Sequence, residues 1–129
     1  MPRILLLIVL ALSLLVELAL TGGAFFAPAF TLGKFGVVYR PEIAFLGYVT
    51  GWFLLFVSLA AGLALGRVWQ RRAGYAGLCY LLGLWWIGIG VGIFVTFGKA
   101  DNLVLDSTKG LLIVVLTWRS QAGGLVLRR

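Results

Sequence analysis

Apolar positions along this chain come as long unbroken runs, not as the strict alternation of a half-buried strand or the one-sided stripe of a surface helix. A helix needs about 20 mainly apolar residues to cross roughly 30 Å of hydrocarbon. Three runs satisfy that demand: Ile4 to about Ala24, Ile43 to about Leu65, and Ala73 to about Phe97. A fourth, NLVLDSTKGLLIVVLTW over 102–118, is apolar in its second half but carries Asp106 and Lys109 in its first. At helical rise it reaches about 25 Å, enough to span if neighbouring helices shelter the two charges. The pattern predicts an all-α integral membrane protein, a four-transmembrane-helix bundle formed by a single polytopic domain over 1–129 with a tail at 119–129. Three spans plus an interfacial segment is the alternative.

The connections refine this picture. Pro28 and Pro41 bracket the first, APAFTLGKFGVVYRPE, and Pro disfavours helix at the residue before it, so an irregular or briefly extended loop is expected. Its aromatic residues suit the membrane interface. The second, GRVWQRR, is short and basic and predicts that the second and third spans lie side by side as an antiparallel pair. Asp101 and Asn102 can cap the fourth helix, while DST at 106–108 offers a later start near Ser107 that would move Asp106 to the interface. In the tail, Gly123 and Gly124 read as a flexible break before an apolar patch ending in Arg128 and Arg129. Arg3 ahead of an apolar run, with AFFAPA behind it, also fits a signal peptide, but the run is long and favours an uncleaved first helix.

Composition agrees with lipid as the main solvent. The 129 residues are 62% hydrophobic and 12% charged, whereas a soluble domain is about 45–50% apolar and about 25% charged. That excludes a soluble enzyme domain, a disordered tail and a disulfide scaffold. The net charge of +7 does not point to nucleic acid, because the basic residues flank apolar runs and anchor helix ends. Four spans put Arg3, Arg67, Arg71, Arg72, Arg119, Arg128 and Arg129 on one side, and Lys34, Arg40, Lys99 and Lys109 on the other. Seven against four favours both termini in the cytoplasm of a bacterial inner membrane.

Helix association in lipid relies on small residues that let backbones approach. Gly47, Gly51, Ser58, Gly62 and Gly66 recur at intervals suited to one face of the second span, and Gly88, Gly92 and Thr96 do so in the third. Gly83 and Gly90 lie on other faces of the third span. These stripes are expected to join the second span to the third or to a neighbouring subunit. Trp85 and Trp86 sit mid-span, away from the interface where Trp is usual. They read either as a platform for a flat lipid, quinone or pigment, or as protein packing with a local acceptor for the indole N–H.

Charged residues inside a span are expensive and face a bundle interior, a cavity or a partner. Glu17 lies about 10 Å below the end of the first helix, and Lys109 lies at a similar depth in the fourth. Asp106, three residues before Lys109, shares its face. A cluster of Glu17, Asp106, Lys109 and Thr50 is expected, either fixing helix order, pairing with another protein, or forming a proton or ion path. The chain has no His, and its single Cys79 lies in an apolar stretch as a buried small hydrophobe. No HExxH, CxxC, GxSxG, Walker A or GxGxxG motif occurs. No enzyme, cofactor or metal is therefore expected.

In length and topology alone the chain resembles the general format of small four-helix bacterial membrane proteins such as small multidrug exporters and fluoride channels. The VELAL around Glu17 does not reproduce the exporter pattern, and no family is assigned. The functional expectation is a small accessory or scaffold subunit of a larger inner-membrane complex, working through helix and lipid contacts with hetero-oligomeric protein partners. A homo-oligomeric transporter or channel using Glu17, Asp106 and Lys109 is the alternative.

Overall fold

The computed structural model describes residues 1–126, with side chains through residue 123. The elements are α1 (Pro2–Phe26), α2 (Pro28–Lys34), a 3-10 turn at Pro41–Ile43, α3 (Ala44–Trp69), α4 (Tyr75–Phe97) and α5 (Ala100–Val126). No strand occurs among the described residues. Three stretches, α1, Pro41–Trp69 and α4, are long and apolar enough to cross a membrane. The polar inside and apolar outside fit that reading: Ser13, Glu17, Thr21, Ser58 and Thr117 are buried while Leu15, Phe56, Leu81 and Leu105 face outward. A soluble domain has the opposite distribution.

Local chemistry sets the helix ends. Ala27 leaves the helical region at φ −139°, ψ 63°, because Pro28 crowds the residue before it. Pro28 then occupies the first turn of α2, where a missing N–H does no harm. The first connection is thus partly helical, not irregular throughout as its two prolines suggest. Gly98 ends α4 with φ 68°, its N–H bonded to Phe94 O at 2.8 Å, a left-handed stop that only Gly adopts without penalty. The fourth long helix is continuous from Ala100, so Asp101 and Asn102 lie inside its first turn and no later start occurs at Ser107. Nor do Gly123 and Gly124 break it, since α5 runs to Val126.

The long helices close a ring in the order α1, α3, α4, α5. Contacts are extensive for α1 with α3 and for α4 with α5, and sparse for α3 with α4. The short basic connection leaves α3 and α4 side by side, as it predicts, but their contact is sparse. Arg3 helps explain the α1–α3 partnership: its Nε donates to Val68 O at 3.0 Å and its Nη2 to Trp69 O at 2.6 Å. Those are C-terminal carbonyls of α3, which lack donors within the helix. At the same end Tyr75 and Ser120 hydroxyls meet at 2.7 Å, tying the start of α4 to the end of α5. This arginine end holds Arg3, Arg67, Arg71, Arg72 and Arg119; Arg128 and Arg129 lie outside the described residues. The opposite, loop end holds α2, the 3-10 turn, Gly98 and Lys99.

Between the ends, Leu6 and Leu10 of α1, Ala61, Ala64 and Val68 of α3, Cys79 and Leu82 of α4, and Ile113 and Leu116 of α5 form the apolar core. Cys79 is fully buried there. Thr21, Ser58 and Thr117 hydroxyls donate to the carbonyls four residues earlier at 2.6–2.7 Å, so they enter the interior already satisfied.

Candidate functional site

The seam between α4 and α5 is a backbone contact made possible by glycine. A Cβ at Gly83 would lie 2.6 Å from Val114 Cγ2 and 2.8 Å from Gly110 O. A Cβ at Gly110 would lie 2.9 Å from Ile87 N, and one at Gly90 2.5 Å from Ser107 Oγ. No larger residue fits these positions without moving a helix. The third span's packing glycines are therefore Gly83, with Gly110 opposite, and Gly90, with Ser107 opposite. Gly88 and Gly92 are exposed, and a Cβ at either would meet nothing within 4 Å among the described residues. The α3 stripe also faces elsewhere than expected: Gly47 approaches Pro28, Gly51 the Phe25 ring, Gly62 the Leu14 side chain, and Ser58 lies 3.5 Å from Thr21 Oγ1. It joins α3 to α1 and α2, not to α4. An interval of four finds a face, but it does not say which helix the face meets.

Close approach of α4 and α5 brings charge and aromatic surface together. Lys109 Nζ stands 3.9 Å from Glu17 Oε1, 3.8 Å from Asp106 Oδ1, and 3.2 Å above the centre of the Trp86 ring. Glu17 is completely buried, and Ser13, one turn earlier on α1, donates to its Oε1 at 2.5 Å. Asn102 Nδ2 donates to Asp106 Oδ2 at 3.2 Å, again across one turn. One ammonium thus faces two carboxylates and one indole, an arrangement that joins α1, α4 and α5 at a single level. Glu17 Oε2 has no hydrogen-bond partner among the described residues. Ser13, Asn102 and Trp86 are the members that sequence reasoning missed. The first two were accessible from the four-residue spacing to Glu17 and Asp106, whereas Trp86 required the α4–α5 register.

Thr50 does not belong to this cluster. It lines an apolar slot of about 400 Å³ between α3 and α4, the pair with few contacts. Phe53 and Val57 form one wall, Trp85, Trp86 and Ile89 the other, and Phe35 closes the loop end. The two Trp residues have different roles. Trp86 is buried, with the slot on one side and the ammonium on the other. Trp85 is 39% exposed and stacks on Phe53, centroids 6.4 Å apart and planes 19° from parallel.

The chain matches no family model, no curated protein and no solved structure. Among the described residues, no three His, Cys, Asp or Glu side chains are grouped to hold a metal ion. Arg67 is partly covered, while Arg71, Arg72 and Arg119 are exposed at the arginine end.

Proposed function

We propose that this protein is a small non-catalytic accessory or scaffold subunit of a larger membrane complex, acting through helix–helix and lipid contacts. The observation that carries the reading is the division of glycines on α4. Gly83 and Gly90 are used inside the chain, while Gly77, Gly88 and Gly92 face outward with nothing within 4 Å of a Cβ position. In lipid such an open face permits the backbone of another helix to approach closely.

The topology that accompanies this reading is a four-helix bundle with both termini in the cytoplasm, in a bacterial inner membrane. α5 supplies the fourth span: at helical rise it extends about 40 Å, and Asp106 and Lys109 turn inward to Glu17 and Trp86. The arginine end, richer in Arg and Lys, is the cytoplasmic one. Within this reading the ionic cluster fixes helix order, joining α1 to α5 without charge on the lipid face.

Purification from native membranes in mild detergent, with identification of what accompanies the chain, tests the function. A stoichiometric membrane-protein partner is expected. Recovery as a homo-oligomer without partners contradicts it, and would favour the transporter alternative, in which the unpartnered Glu17 Oε2 carries a proton or ion.

A further inference from the structure

We propose that the slot between α3 and α4 holds one acyl chain of an anionic phospholipid, with its phosphate on Lys99. The slot is walled by aliphatic and aromatic side chains, with Thr50 its one hydroxyl. Its volume of about 400 Å³ is within the range of ligand-binding pockets. Along α3 its lining runs from Leu46 near the loop end to Val57, a rise of about 16 Å. One leaflet of the hydrocarbon core is about 15 Å deep. The slot therefore accepts a chain entering from the loop end and reaching the bilayer centre, whereas a spanning partner helix would need twice that length.

The loop end supplies the charge. Val37 lines both the slot and an adjoining hollow, whose walls include Gly33, Gly36, Tyr39 and Lys99. Gly36, at φ 86°, lets the loop lie against α4, where a Cβ would be 2.9 Å from Phe97 Cβ and 3.4 Å from Lys99 Cγ. That contact seats the Lys99 stem against the wall of the hollow, and Val37 joins the hollow to the slot. Lys99 has no ion-pair partner among the described residues, and the exposed carboxylates of this end, Glu42 and Asp101, line neither space. An apolar slot that adjoins a hollow with an ammonium in its wall matches a lipid with a phosphate and net negative charge, not a zwitterionic one whose own ammonium would oppose Lys99. The proposal requires a bilayer around the chain but no protein partner, so it and the accessory-subunit reading fail independently.

Fluorescence quenching tests it in the full chain with Trp52, Trp69 and Trp118 changed to Phe, leaving Trp85 and Trp86 as reporters. The protein is placed in phosphatidylcholine vesicles containing either chain-brominated phosphatidylglycerol or chain-brominated phosphatidylcholine at equal mole fraction. About fivefold preferential association of the anionic lipid is expected, the effect of one Lys near the headgroups. Lys99→Gln should bring the ratio to about one, Thr50→Phe should lower quenching by both lipids, and Arg71→Gln with Arg72→Gln should change nothing. Equal quenching in the parent protein overturns the proposal, as does a preference that survives Lys99→Gln or disappears with the two arginines. Absence of quenching by either lipid overturns it too, because a second copy or a partner helix then fills the slot.

Discussion

The two sides of α4 show opposite ways of meeting a neighbour. Toward α5, Gly83 opposes Gly110 and Gly90 opposes Ser107, backbones touch, and the ionic cluster forms at the same seam. Toward α3 the residues are Trp85, Trp86 and Ile89 against Phe53 and Val57, and these bulky side chains hold the helices apart around a slot. Small residues give contact and large ones give space, within a single helix of 23 residues. Trp86 belongs to both sides, which makes it the hinge of the comparison.

The seam should be the sensitive side. Lys109→Met leaves Glu17 fully buried without its cation and is expected to destabilise by about 3–5 kcal/mol. Adding Glu17→Gln should recover a large part of that loss, measured by denaturant titration in mixed micelles. If the double variant is as unstable as the single one, the pair is not the source of the effect. Gly83→Ala and Gly110→Ala follow, at about 1–3 kcal/mol each, because the new methyl meets backbone atoms. Unchanged thermal melting of either variant would show that the helices are not in backbone contact. Ser13→Ala is expected to remove about 1.5–3 kcal/mol, the range for a bond to a charged group, since Glu17 Oε1 loses the Ser13 hydroxyl. On the slot side Thr50→Val should change stability by less than about 0.5 kcal/mol, because its hydroxyl stabilises neither helix contact. A loss as large as that of Gly83→Ala would erase the distinction between the two sides.

Much of this was legible from residue pattern. The three apolar runs became helices Pro2–Phe26, Ala44–Trp69 and Tyr75–Phe97, because length and hydropathy are local properties. Glu17, Asp106 and Lys109 were brought together by helical rise, since residues at one depth in neighbouring helices meet if their faces agree. Facing was the part that the pattern did not contain. Gly88 and Gly92 have the same spacing as a packing stripe, yet Gly83 and Gly90 make the seam, because direction depends on the order of helices around the ring. Thr50 had the right depth for the cluster and the wrong direction for the same reason. Pro28 was misread by position: the rule that stops a helix before Pro also lets a new one begin at it, as α2 does.

The open glycines of α4 are where the proposed role in a complex is most exposed to test. The double variant Gly88→Ile, Gly92→Ile and the parent chain, purified side by side from native membranes, give the amount of partner per folded chain. The variant is expected to keep its melting temperature and lose the partner, because its new side chains enter space that the described residues leave empty. Partner retained at the parental ratio would contradict it.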